Sequence, residues 1–250
     1  MKATIFIAIG LITAGCTFAQ PLAFEVATVK PSKPDARGGG IKPLPGGQTY
    51  MATNVPLRLM IKLMYKITDS QIIGGPDWIN TELFDVDAKA ERPSNVDQLH
   101  EMFQTLLAER FKLQFHREKR ELPAFVLTVD KSGSKLKLNT SAENFDIPIK
   151  PTGRGRAVGE RVPMNYFTWF LAQLLNRPVV DQTGLDRFYD FTLEWAQELP
   201  PGLNGAEPPP PAPDGPTIFT AIREQLGLKL ESKKAPVETF VIDRVERPQN

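Results

Sequence analysis

Residues 55–86 read VPLRLMIKLMYKITDSQIIGGPDWINTELFDV, and residues 162–191 read VPMNYFTWFLAQLLNRPVVDQTGLDRFYDF. Val55-Pro56 aligns with Val162-Pro163, and Ile72-Ile73 with Val179-Val180, at one offset of 107 residues. In each copy a proline stands where a helix should open, a position that tolerates its missing N–H. Leu57, Met60, Ile61 and Met64 then fall on one helical face. Arg58, Lys62 and Lys66 fall on the other, a basic stripe that suits an acidic ligand or simply a solvated face. A brief strand at Gln71–Gly74 ends in Gly74-Gly75-Pro76. Leu83 to Ala88 alternates apolar and polar residues, as a strand with one buried face does. In the later copy Tyr189-Asp190-Phe191 replaces Phe84-Asp85-Val86.

The pattern extends in both directions. Phe24 to Val29 alternates and reads as an N-terminal strand, Pro31 to Gly40 breaks regular structure, and Gln48 to Ala52 is another strand. Gly38-Gly39-Gly40 reads as a surface turn, because no Gly-Lys-Ser/Thr follows to make it a phosphate loop. Ser94, with Asp97 three residues on, suggests a helix start. The stripe Val96, Leu99, Met102, Phe103, Leu106, Leu107 follows, and the helix from Met164 repeats its spacing. Lys112 to Phe115 reads as a strand and Ala124 to Val129 as its hairpin partner, with His116-Arg117-Glu118-Lys119-Arg120 at the turn. In the later half, Ile218, Phe219, Ile222 and Leu226 form a helix stripe ended by Gly227. Leu228-Lys229-Leu230 matches Phe111-Lys112-Leu113, and Phe240-Val241-Ile242 matches Phe125-Val126-Leu127.

These signals predict an α+β fold made by internal duplication of a β-α-β-β-α-β-β unit, with helices packed on small mixed sheets. The expected divisions are a signal peptide at 1–19, a first repeat with its N-terminal strand at 20–130, a connecting loop at 131–152, and a second repeat at 153–250. The second repeat is interrupted at 199–216 by a proline-rich insertion, including Pro208-Pro209-Pro210-Pro211, too poor in apolar residues to build core.

Lys2, the apolar run Ala3–Leu11 and the small-x-small site Thr17-Phe18-Ala19 read as an export signal, so the expected location is periplasmic or secreted. Ile12-Thr13-Ala14-Gly15-Cys16 offers the alternative of lipoprotein processing, with Cys16 carrying the lipid. No later segment is long and apolar enough for a transmembrane helix. Cys16 is the one cysteine, so the folded part has neither a disulfide nor a thiolate. A formal net charge of +1 argues against nucleic acid as a partner.

Chemistry-bearing residues are sparse. His100, placed on the polar side of its helix, and His116 have no cysteine or second histidine at ligand spacing, so no metal or cofactor is expected. No Gly-x-Ser-x-Gly elbow appears. Asp85 and Asp190 occupy matching strand positions. With Asp181 they are the carboxylates that acid–base hydrolysis in a cleft would use; otherwise each points outward from its strand. Trp78, beside a glycine-proline turn, is a ligand platform or an anchor that plugs the core, and its counterpart Leu185 favours the anchor. Arg154 and Arg156, with Arg161, sit in a loop suited to carboxylate or phosphate recognition.

Four segments carry a resemblance: Phe24-Glu25-Val26-Ala27-Thr28-Val29-Lys30-Pro31-Ser32, Gly75-Pro76-Asp77-Trp78, Leu107-Ala108-Glu109-Arg110-Phe111-Lys112-Leu113 and Val180-Asp181-Gln182-Thr183-Gly184-Leu185. In these the chain resembles an uncharacterised family of exported proteins abundant in soil bacteria, especially acidobacteria. That family has no established catalytic residues to carry over. Some of its members join this region to membrane-bound metallopeptidase sensors, which implies sensing or binding. Each half also resembles the short N-terminal βαββαβ module of secretins and TonB-dependent receptors, which implies docking through a sheet edge. The expectation is an exported binding, protein-interaction or sensing module without catalysis, its partner an envelope protein or an extracellular glycan or peptide. The alternative is a hydrolase acting on a cell-wall or plant-derived polymer.

Overall fold

The computed structural model describes residues 21–33, 38–142, 145–153, 155–196 and 215–249. The expected signal peptide, Cys16, Arg154 and nearly all of the proline-rich insertion lie outside the described residues.

The fold is α+β. In chain order the elements are β1 (Val26–Pro31), β2 (Gly40–Pro43), β3 (Thr49–Pro56), α1 (Leu57–Met64), β4 (Ile72–Ile73), α2 (Trp78–Thr81), β5 (Leu83–Lys89), α3 (Val96–Arg110) and β6 (Gln114–Val129). Then come β7 (Lys137–Leu138), β8 (Ile149–Gly153), β9 (Arg156–Pro163), α4 (Met164–Leu175), β10 (Val179–Asp181), β11 (Phe188–Glu194), α5 (Ile218–Leu226) and β12 (Leu228–Arg244). Among the described residues the strands form three four-stranded sheets. Two are outer sheets, ordered β1-β5-β3-β2 and β7-β11-β9-β8, and one is central, ordered β10-β6-β12-β4. Residues 131–152, expected as a connecting loop, contain β7 and the first residues of β8. These two strands hold the same places in the second outer sheet that β1 and β2 hold in the first.

The helices form where their apolar stripes meet the sheets. Leu57, Met60, Ile61 and Met64 of α1 are all buried. The start of α3 is one residue later than Ser94 suggested. Asn95 accepts from the Gln98 N–H at 2.9 Å, and Gln98 Oε1 accepts from the Asn95 N–H at 3.1 Å. That reciprocal pair satisfies two otherwise orphaned donors, which a Ser94–Asp97 pairing does not. Gly227 ends α5 with φ 65°. A Cβ there would stand 2.0 Å from the Gly133 carbonyl oxygen, so both space and backbone call for glycine.

The two expected hairpins are absent. Residues 114–129 form one strand, and residues 228–244 another. They pair antiparallel from Gln114↔Arg244 to Val129↔Leu228, as a long ribbon. The short strands then cross over. β4 of the first half adds parallel to β12, with Ile72 opposite Phe240, and β10 of the second half adds parallel to β6, with Val179 opposite Phe125. Each half therefore lends one short strand to the long strand of the other. Pro123 and Pro236 fall in the ribbon's middle, opposite Lys234 and Glu121. β10 pairs with residues 125–127 and β4 with residues 240–241, so neither proline has a second neighbour to which a donor is owed.

The ribbon's two ends enter different cores. Phe240, with Phe115 and Ile242 beside it, packs with α1, α3, β3 and β5; Leu127 and Leu228 pack with α4, α5, β9 and β11. Between them the ribbon carries a small third cluster, Ala124, Val126, Ala235 and Val237, together with exposed ion pairs such as Arg117–Glu238 at 2.7 Å.

Candidate binding site at the junction of the two halves

The carboxylates singled out from sequence stand on three different sheets. Asp85, on β5, accepts from the backbone N–H of Asn54 at 2.9 Å and from the Ser32 hydroxyl at 2.7 Å. Asn54 has φ 56° and sits in a bulge where β3 slips against β5 between Ala52 and Val55. These two hydrogen bonds, the backbone one foremost, hold the carboxyl below its usual range. Asp190, on β11, accepts from the backbone N–H of Arg161 at 2.8 Å and from Asn139 Nδ2 at 2.7 Å. Arg161 has φ 51° and sits in the matching irregularity of β9 and β11. Both carboxylates thus clip a left-handed, non-glycine residue, a conformation that costs about 1–3 kcal/mol unless its surroundings over-determine it. Asp181 closes a turn instead, accepting from the N–H and hydroxyl of Thr183 at 2.9 and 2.7 Å.

The candidate binding residues lie elsewhere again. Trp78 is half-buried at the start of α2, edge-on to Phe84 at 6.2 Å between ring centroids. The Arg247 guanidinium lies 5.1 Å from its ring centroid while bridging both oxygens of Glu82. Arg156 pairs with Glu194 across β9 and β11 at 2.7 Å, with both side chains exposed. Among the described residues, no group of three or more His, Cys, Asp or Glu is placed to hold a metal ion.

What the structure does bring together is a set the sequence reading passed over. α3 and α4 approach each other where the halves meet, and Gln173 of α4 donates to the Ile67 carbonyl beyond α1 at 3.2 Å. His100, expected on the polar side of α3, is 4% exposed. Its Nε2 lies 3.0 Å from the Tyr50 hydroxyl, and its ring is edge-on to Trp169 of α4 at 6.4 Å. Trp169 in turn meets Tyr166 at 5.1 Å. Lys66, at φ 55° just past α1, forms an ion pair with Asp97 and lies 5.6 Å from the Tyr166 ring centroid.

Burial dominates the electrostatics. It pushes the imidazole of His100 down to about 4; the Lys66 charge acts in the same direction and Asp97 opposes it. The ring is therefore neutral at ordinary pH. Burial also pushes the Tyr50 and Tyr166 hydroxyls well above the usual phenol range. Among the described residues, two buried side-chain nitrogens have no hydrogen-bond partner, and they are His100 Nδ1 and Trp169 Nε1. Leaving one such group unsatisfied costs about 1–3 kcal/mol, so two on neighbouring rings need partners from a water or a ligand. Two cavities flank them. One of about 200 Å³ is lined by His100, Asp97 and Arg117, and one of about 250 Å³ by Trp169, Val180 and Val237. Lys66 and Asn165 line both.

Signals for this site exist in the sequence. Val96, His100, Phe103 and Leu107 are spaced 4, 3, 4, a core-facing row that includes the histidine. The α4 segment is apolar nearly all round, which marks a helix covered on more than one side.

Among the described residues, no helix is long and apolar enough to cross a membrane. No curated protein and no solved structure matches the chain. The model of DUF3738, a family of proteins of unknown function, matches residues 58–245, which spans β5 of the first outer sheet, the whole second outer sheet, the ribbon and the junction between α3 and α4, and the chain belongs to that family.

Proposed function

We propose that the protein is an exported, non-catalytic binding module, formed by duplication of a βαββαβ unit, that holds a small ligand at the junction of its two halves for sensing or docking in the cell envelope. The observation that carries this reading is the orphaned pair His100 Nδ1 and Trp169 Nε1, contributed by different halves and flanked by cavities. A ligand there touches both units at once, as a sensor of their relative position requires. The duplication is supported by the order β-α-β-β-α-β, which runs through the second half and, apart from the one-turn α2 between β4 and β5, through the first, and by equivalent clips at Asp85 and Asp190. That order is also the one the resemblance to secretin and receptor docking modules implies. Export rests on the residue pattern of positions 1–19. Against a polymer hydrolase stands the engagement of Asp85 and Asp190 with backbone N–H groups and of Asp181 with Thr183.

The test is thermal melting of the purified protein with the low-mass fraction of a bacterial envelope extract. A ligand at a hundred times its dissociation constant stabilises by about 2.7 kcal/mol. For a chain of this size that raises Tm by roughly 5–10 °C. The rise should shrink in Trp169→Phe, which keeps the ring and removes the donor. No rise with any fraction contradicts the reading. So does polymer cleavage that Asp85→Asn or Asp190→Asn abolishes.

A further inference from the structure

The orphaned nitrogens also specify what the junction ligand must offer; this step rests on the binding reading above. Tyr50 is 3% exposed, and the partner its hydroxyl finds among the described residues is His100 Nε2, at 3.0 Å. A buried phenol must place its proton on an acceptor, so Nε2 is the acceptor and is unprotonated. The imidazole is neutral, and its one proton therefore sits on Nδ1, the atom without a partner. Trp169 Nε1 is a donor under all conditions. Both orphans are thus N–H donors, and a group that only donates satisfies neither.

The walls limit the rest. Lys66 already faces Asp97, and Arg117 already faces Glu238, so the cationic side chains at the cavities are matched by carboxylates. Val180 and Val237 give the larger cavity an apolar side. Its volume of about 250 Å³ is below the roughly 300–1,000 Å³ of pockets for drug-sized molecules. The occupant is compact.

We infer that the junction binds a small aliphatic compound through one carbonyl-type oxygen, of a carboxylate or an amide, which accepts from His100 Nδ1–H and Trp169 Nε1–H together. His100 lines the smaller cavity and Trp169 the larger, with Lys66 and Asn165 lining both, so the oxygen sits where the two cavities meet and the short apolar body extends toward Val180 and Val237. A water molecule supplies the same acceptor but has no use for the apolar side.

The experiment follows the indole N–H resonances of the ¹⁵N-labelled protein during titration with sodium butyrate, butyramide and n-butylamine. The protein has three tryptophans, Trp78, Trp169 and Trp195, and Trp169→Phe assigns the signal of interest. The expected result is a saturable downfield shift of the Trp169 N–H with butyrate or butyramide, at least tenfold tighter than any effect of butylamine, with Trp78 and Trp195 unmoved. The stronger of the two acceptor probes separates a carboxylate ligand from an amide. The His100 ring nitrogens, read in the same sample, should report protonated Nδ1. Three results overturn the inference: no shift with either acceptor probe, equal shifts with butylamine, or a proton on Nε2. Overturned in these ways while the envelope fraction still stabilises the protein, it leaves the binding-module reading standing; loss of both effects removes both.

Discussion

At the residue scale, the same type of side chain does different work according to the backbone it meets. Asp85 looks like a candidate acid in sequence, yet two hydrogen bonds tie it to a bulge residue with positive φ. Asp85→Ala should therefore destabilise by about 1–3 kcal/mol in urea unfolding and leave junction binding unchanged. Full stability with altered binding would contradict the clip. His100 carries a pH dependence of definite sign. Its folded-state value is lowered from 6.5 to about 4, so the stability it contributes is complete above pH 6.5 and is lost as pH falls toward 4. The loss amounts to about 3 kcal/mol. Melting curves from pH 7 to 4.5 should show this loss in the wild type and much less of it in His100→Gln. The exposed His116, raised by Glu118 and Asp243, acts in the opposite sense and is common to both proteins. None of this is visible in composition, because the partners of Asp85 and His100 lie 31 to 53 positions away.

At the element scale, helices and short alternating strands are legible because their periodicity is local. α1, α3, α4 and α5 all lie where apolar spacing puts them. The long strands are not legible. Residues 116–121 and 231–234 are polar and mostly exposed, although their ribbon partners at 236–241 and 123–126 include the buried Val237, Phe240, Ala124 and Val126. That composition mimics a turn and cuts each strand in two on paper. The exchange of β4 and β10 is equally hidden, because two or three residues carry no record of which strand they join. Its consequence can be measured. Leu127 comes from the first half and is fully buried in the second core. Leu127→Ala should lower stability by about 2–5 kcal/mol and weaken hydrogen-exchange protection in both halves together. Protection lost in the second half alone would show two independent units.

At the scale of the whole molecule, the exchanged strands make the halves a single scaffold, and the junction is where their helices meet over it. Of the residues that sequence reasoning favoured, Asp85, Asp190 and Arg156 lie on the outer sheets, Asp181 on the central sheet and Trp78 on α2, each in structural use. The junction holds the buried polar groups left over, drawn from α3 and α4. A site of this kind escapes sequence reading because neither half contains it. The most direct measurement is a high-resolution crystal structure of the protein purified from the envelope. The expected result is density larger than a water at the junction, with an oxygen about 2.7–3.2 Å from both His100 Nδ1 and Trp169 Nε1. Protein groups satisfying both nitrogens, or a lone water between them, would contradict a ligand site at the junction.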